Sequence, residues 1–404
     1  MEDKTTLTAL PPELLDQILS TGILKRSDFA VLARVCKRLH TLSIERLYRE
    51  FTVSHKLSDK QLEGFKKYAI HTRSLEINFI FIVLVGDKTR MGTRGGCKTF
   101  LPSFGSITKF SFTGERYSFI QVLYITRKAL TLNLRLKCFE LIFRSDCLYD
   151  TRWKDIEVLL DVEGEEYAKL ERLAVFFRSL SSSEAREESN GKQWWMNTVQ
   201  NMEVVRRAIG QSMKSVVDFK VLATNSFQLP PEGVEYSAGK RWEMGGVRKA
   251  EVMMDCWPYL ESGVVDFGGE KVEEVKVVVG LIKGEEVGWF SDVPGNIYAR
   301  FPNVKVLKIF CVDRIGADLT LQLRDLEEIA KKLAYLKEIV WFSKLNEGST
   351  VPMTRDMTEK KKFVVERVGG AWGTVDIRED GEWEASSEGV TPGFAGFYVP
   401  PPEF

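Results

Sequence analysis

The chain has 404 residues, with 57 lysines and arginines balanced by 57 aspartates and glutamates, and 44% of its residues are hydrophobic. That length allows two or three domains and an ample core. Zero net charge offers no global field toward nucleic acid or anionic lipid, and the composition is that of a soluble globular protein, not a disordered or collagen-like chain.

The N-terminus, MEDKTTLTALPPE, lacks the apolar segment of a secretory signal. Residues 12 to 47 then read as three short helices. Leu14, Leu15, Ile18 and Leu19 form one apolar stripe, and Leu32, Val35, Cys36, Leu39, Leu42 and Leu47 form another. Pro12 suits a first helical turn, Ser27 is placed to cap a helix starting at Asp28, and Thr21-Gly22 separates the first two helices. A bundle this small buries little area. The run INFIFIVLV at 77–85 is too short to span a bilayer, which takes about 20 residues, and its β-branched and aromatic content predicts a buried strand.

Beyond Tyr48 one pattern recurs: an apolar residue, two others, an apolar residue, one other, an apolar residue. It begins weakly at Thr72-Leu75-Ile77 and continues at Ile107-Phe110-Phe112, Leu136-Phe139-Leu141 and Leu170-Leu173-Val175. It returns at Val216-Phe219-Val221, Val272-Val275-Val277, Val304-Leu307-Ile309 and Leu336-Ile339-Trp341. The central residues lie 35, 29, 34, 46, 56, 32 and 32 apart, and the 56 is close to two periods, which implies one copy too degenerate to see. Helix-like segments fall between copies, clearest at 196–210 and 324–336. Strand then helix at a loose period predicts stacked α/β units; an irregular α/β domain is the other reading.

The polar stretch 181–193 reads as an exposed insertion. Trp194 and Trp195 beside it are open to two readings, core packing and an exposed partner anchor. Residues 353–363 are mixed in charge and begin the end of the fold, and the glycine- and proline-rich stretch from 369 to 404 reads as a loosely packed tail.

A search for chemistry returns little. His40, His55 and His71 have no metal-ligand spacing, and the six cysteines include no C-x-x-C pair, so free thiols in a reducing compartment are expected. GDKTRMGTRGGCKT at 86–99 has Cys97 where a P-loop requires glycine before Lys98, and reads as a basic loop. The D-F-G triplet at 266–268 lacks the companion motifs of a kinase and reads as a turn. The expectation is a protein that is not an enzyme, with no cofactor, no metal, no nucleic-acid partner and no membrane partner, in the cytoplasm, the nucleus or both.

The residues that do form a pattern are N-terminal. LPPELLDQILS followed by SDFAVLARVCKRLHTLSIERLYREF resembles the F-box, in the form common in filamentous fungi, over residues 8–51. Leu10-Pro11, Glu13-Leu14, Ile18-Leu19-Ser20, Leu24, Asp28-Phe29, Val35-Cys36-Lys37-Arg38 and Leu39 fall on the family's pattern in order. The resemblance implies a three-helix module that binds a Skp-type adaptor and, through it, a cullin-RING ligase. It implies that Leu10, Pro11, Leu14, Ile18, Leu19, Leu24, Val35, Cys36 and Leu39 carry or support that interface. Two departures stand out. Ser-Thr-Gly-Ile-Leu at 20–24 is about two residues longer than the family's usual link, and Leu39 stands where many members have tryptophan.

The recurring triplets resemble a degenerate leucine-rich repeat, with periods longer than usual. The resemblance implies an irregular α/β solenoid over 52–352 that recognises a protein substrate, followed by a C-terminal cap and tail over 353–404. The residue between the last two apolar positions would face a concave side, giving the row Glu76, Ser111, Glu140, Ala174, Lys220, Lys276, Lys308, Val340. Glu76, Glu140, Lys220, Lys276 and Lys308 are the candidate substrate contacts, acidic early and basic late. The function implied is a substrate-recognition subunit of an SCF-type ubiquitin ligase. An F-box scaffold or transport protein, and an enzyme with a dispersed site, are the alternatives.

Overall fold

The structure is a computed structural model. It describes residues 10–21, 23–53, 64, 66–78, 105–113, 119–144, 166–178, 201–224, 242, 244–253, 267–281, 297–313, 323–344, 358–370 and 374–386. The segments 79–99 and 181–195, and with them the basic loop, the polar insertion and Trp194-Trp195, lie outside the described residues. The chain divides into two compact units: Met1–Phe143 with Cys147–Leu170 and Arg207–Ser212, and Arg144–Asp146 with Glu171–Arg206 and Met213–Phe404.

The first unit opens with three helices, α1 (Pro12–Ser20), α2 (Arg26–Leu32) and α3 (Lys37–Arg49). Pro12 occupies the first turn of α1, where its missing N–H costs nothing. Helix α2 starts two residues before the expected Asp28. Its cap is not Ser27: the Asp28 carboxylate accepts the Lys25 backbone N–H at 2.8 Å, and a carboxylate in a first turn also suits the helix dipole. Cys36 caps α3 by accepting the Leu39 N–H on Sγ at 3.5 Å. Strands β1 (Glu50–Val53), β2 (Ser74–Asn78) and β3 (Lys109–Thr113) follow, then helix α4 (Phe119–Leu132) and β4 (Cys138–Arg144). Neighbours pair in parallel and in chain order.

The second unit repeats that plan through β5 (Arg172–Arg178), β6 (Asp218–Thr224), β7 (Lys249–Met253), β8 (Glu274–Leu281) and β9 (Val306–Asp313), then α5 (Leu323–Lys332) and β10 (Glu338–Lys344), all parallel. Residues 201–209 are helical, as their spacing predicted. The stretch expected as a loose tail instead supplies a long strand: β11 (Thr358–Val368) and β12 (Thr374–Ser386) pair antiparallel and extend from β10. Phe363 and Val365 of β11 are buried, Val365 opposite the half-buried Ile377, and ion pairs add to the outer face. Arg378 binds Glu366 at 2.9 Å, and Lys362 lies between Glu338 at 3.2 Å and Asp380 at 3.3 Å.

The recurring triplet has a structural meaning. Its first residue closes a tight turn: Thr72, Leu136, Val216, Val272, Val304 and Leu336 each donate the backbone N–H to the carbonyl three residues earlier, at 2.9–3.3 Å. Its second and third apolar residues lie on the strand and point into the core, every one of them buried. Between turn and strand, one carbonyl accepts two N–H groups from the next strand. Val217 receives Arg248 and Lys249, Arg248 receives Glu273 and Glu274, and Glu273 receives Lys305 and Val306, all at 2.8–3.1 Å. The same junction at Arg73 and Thr108 serves the first unit.

In register, the central residues align strand to strand. Leu75, Phe110 and Phe139 form one line in the first unit; Leu173, Phe219, Ala250, Val275, Leu307 and Ile339 form another in the second. The unseen copy within the 56-residue gap is therefore Val247-Ala250-Val252 on β7, in register with both neighbours. A further copy, centred on Phe51, precedes the first one recognised.

Of the D-F-G letters, Asp266 lies outside the described residues. Phe267 is core, and Gly268, at φ 69°, makes the left-handed turn into a short 3-10 helix at Gly269–Lys271.

Candidate functional site

Two surfaces collect the candidate residues, one in each unit. In the first, the apolar stripe of α1 splits between inside and outside. Leu15 and Leu19 are buried and, with Leu39 and Ile44, make the core of the helical module. Leu14 and Ile18 face outward at 44% and 41% exposure. Val35, just beyond α2, is exposed, and so are Ile23 ahead of α2 at 80% and Val31 within it at 62%. Exposure of this density on a helical module of fewer than 45 residues is what a partner's apolar surface would cover.

The remaining expected residues take supporting places. Leu10, Leu24 and Cys36 are half-buried, and Pro11 is the exposed residue preceding α1. Leu39 is buried, so the exchange of a family tryptophan for leucine falls in the packing of the module. Arg46 on α3 locks the far end of α1 in place. Its guanidinium donates to the Asp16 carboxylate at 2.8 Å, the Asp16 carbonyl at 3.1 Å and the Ser20 hydroxyl at 2.6 Å. A cation near a helix C-terminus complements the dipole.

The second surface is a groove of ≈ 470 Å³ across β5–β9. Parallel register sets two rows of charges on one face. One row runs Arg172, Asp218, Lys249, Glu274, Val306, and the other Ala174, Lys220, Glu251, Lys276, Lys308. Glu251, on the strand that the sequence pattern missed, therefore interrupts the run expected to be uniformly basic. It binds Lys220 at 2.6 Å and Lys276 at 3.4 Å. Glu274 likewise holds Lys249 at 2.9 Å and Lys308 at 3.0 Å, and Arg172 binds Asp218 at 2.6 Å.

The environment tunes these groups. Burial lowers the pKa of Lys276; Glu251 opposes that effect, while the Lys220 and Lys308 ammoniums reinforce it. Burial would raise the Glu274 carboxyl, but hydrogen bonds from Lys249 and Lys308 outweigh it and hold the group below the usual carboxylate range. Of the other residues in the row, Ala174 and Val340 are buried, while the expected contacts Glu76 and Glu140 lie in the first unit, Glu76 accepting the Thr52 hydroxyl at 3.1 Å and Glu140 3.9 Å from Lys109.

A second cavity in the second unit, ≈ 510 Å³, is floored by Trp242, Met244 and Phe267, and its Lys271 ammonium donates to the Gly245 carbonyl at 2.8 Å. Among the described residues no group of three or more His, Cys, Asp or Glu side chains is placed to hold a metal, and no helix is long and apolar enough to cross a membrane.

The class these features define is an α/β chain in which three N-terminal helices are followed in sequence by parallel strands. Comparison with known proteins places the module: the F-box-like family model matches residues 7–54, so the N-terminal segment is an F-box-like domain. No curated protein matches the chain. Among solved structures it is similar to one described as the crystal structure of the Rad7 and Elc1 complex in yeast. The identity is 13% and the TM-score 0.21, over 78% of this chain and 92% of that one.

Proposed function

We propose that the chain is a substrate-recognition subunit of an SCF-type ubiquitin ligase. The observation that carries the reading is the exposed apolar set Leu14, Ile18, Ile23, Val31 and Val35 on a module that matches the F-box-like family. F-box domains bind Skp-type adaptors, and burial of these side chains against an adaptor's helices would complete a bundle too small to be self-sufficient. The α/β body captures a target protein. The chain itself performs no chemistry: holding a target lysine near a charged ubiquitin-conjugating enzyme raises its effective concentration, so transfer becomes nearly intramolecular. A cytoplasmic or nuclear setting goes with this role.

Co-purification tests it. The wild-type chain should recover both adaptor and cullin, and a Leu14→Asp, Ile18→Asp variant should recover neither while staying folded, because both positions face outward. Equal recovery by the two proteins would remove the docking face from α1. Adaptor without cullin would overturn the ligase reading in favour of a scaffold or transport role.

A further inference from the structure

We infer that the groove across β5–β9 binds an acidic peptide segment, one that presents several carboxylate or phosphate side chains in an extended run. The inference rests on reading the body as the part that captures a target.

Its first support is a local surplus of positive charge. Six cationic side chains line the groove against three carboxylates, in a chain whose total charge is zero. Two of those carboxylates, Glu251 and Glu274, are each shared by two lysines, so each offers one negative charge to two ammoniums.

The second support is a conflict within the sheet. From β5 to β8 the charges opposite one another alternate: Arg172 faces Asp218, Lys220 faces Glu251, Glu251 faces Lys276 and Lys249 faces Glu274. At β8–β9 the alternation fails, and Lys276 stands directly opposite Lys308. Like charges directly opposite destabilise a strand pair. Lys276 is also buried at this point, over the Phe310 ring at 5.5 Å, so water relieves little of the repulsion. Such a conflict between local sequence and fold marks a place where stability has been given up for function. An incoming anion between the two ammoniums removes it.

The third support is extent. Five strands spaced about 4.8 Å apart are about 19 Å across, which matches about six residues of extended peptide at ~3.3 Å each. A single small ion would meet only one or two of the cations. Peptide is favoured over nucleic acid because single strands are held by exposed rings on which bases stack. Among the described residues that line the groove there is no aromatic ring, and the nearby Phe310 is half-buried and already lies beneath Lys276.

The test uses the full chain without adaptor, so a failure here leaves the adaptor reading untouched. Fluorescence anisotropy would follow labelled peptides of about ten residues, long enough to cross the groove at ~3.3 Å per residue. One alternates Glu and Ser, a second replaces Glu with Gln, and a third carries phosphoserine in the Gln background. A thymidine oligonucleotide of equal charge is the fourth probe. The Glu peptide, the phosphoserine peptide or both should bind at least about tenfold tighter than the Gln peptide and weaken with salt. Which of the two binds tighter identifies the source of the anion.

Two variants hold the proposal to the groove. Arg248→Gln removes one exposed cation and should weaken acidic-peptide binding by about threefold or more without shifting thermal unfolding. Asp218→Asn should tighten it, because it releases the Arg172 guanidinium, whose side chain is 57% exposed. A charge ladder that served only the fold would not bind more tightly after losing a carboxylate. Equal binding of the Glu, phosphoserine and Gln peptides, no tightening by Asp218→Asn, or tighter binding of the oligonucleotide than of either acidic peptide would each overturn the proposal.

Discussion

Replacing Glu251 by glutamine removes one charge from the groove and almost nothing of its shape. The side chain is 5% exposed and holds Lys220 at 2.6 Å and Lys276 at 3.4 Å. Removing one partner of a buried ion pair costs about 3–5 kcal/mol when the other charge has no relief. Lys276 does have relief, since it can lose its proton. From an ordinary lysine pKa of ~10.4, keeping it neutral in the folded state at pH 7.5 costs at most about 4 kcal/mol, and at pH 9.5 only about 1.2 kcal/mol. The sign follows from linkage. A lysine whose folded pKa lies below its unfolded value carries its full penalty at pH values below the folded pKa, and sheds it as pH rises toward ~10.4. Burial already places wild-type Lys276 in this class. Loss of Glu251 extends the window to lower pH, so the variant gains more between pH 7.5 and 9.5 than the wild type does. Urea unfolding followed by tryptophan fluorescence, with Trp242 and Trp341 buried as reporters, should show a deficit of up to about 4 kcal/mol at pH 7.5 that narrows to no more than about 1 kcal/mol at pH 9.5. A deficit equal at both pH values would mean that Glu251 acts through packing, and the electrostatic account of the groove would be wrong.

The division of α1 into an inner and an outer row predicts opposite results for adjacent leucines: Leu15→Ala should cost about 2–5 kcal/mol, and Leu14→Ala no more than about 0.5 kcal/mol, read by hydrogen exchange over residues 12–49. Two glycines separate in the same way. A Cβ at Gly269 would lie 2.1 Å from the Arg300 carbonyl oxygen and 2.7 Å from Phe301 Cδ1, so Gly269→Ala should cost about 1–3 kcal/mol in urea unfolding. Gly245 has nothing within 4 Å, and Gly245→Ala should be neutral or stabilise by up to about 1 kcal/mol.

How far the fold could be read from the sequence depended on where its stabilisation comes from. The triplets were visible because each places large apolar side chains at fixed offsets, and those are the side chains the structure buries. The β7 copy was invisible because its centre is Ala250, which contributes little burial although it holds the same register position as Phe219 and Val275. Helix α4 escaped for the opposite reason. Val122, Leu123, Tyr124 and Ile125 are consecutive and all buried, and a helix covered on nearly every side has no amphipathic period to detect. Strand β12 was hidden by its composition. Its alternation is broken by REDGEWE, and its partners are recognised through cross-strand ion pairs, which no one-dimensional pattern shows. In the helical module the stripe was legible, but Leu14-Leu15 and Ile18-Leu19 are neighbours, and hydropathy alone cannot say which of each pair turns inward.

The missed strand also decided how the groove was read. A row built from every recognised copy runs Lys220, Lys276, Lys308 in its late, basic part. Parallel register converts each strand into one step of a lateral row, so omitting one strand deletes one residue from the row and sets its neighbours falsely side by side. Restoring Ala250 restores Glu251, and the apparent Lys220–Lys276 adjacency becomes a lysine, a glutamate and a lysine joined by two ion pairs. The adjacency that survives is the one at Lys276 and Lys308, where no strand intervenes. Repulsion that alternation could have removed, as it does between every other pair of facing charges from β5 to β8, is therefore concentrated at a single buried step. That concentration, more than the total of basic residues, is what distinguishes a place built to receive negative charge from a solvated basic face.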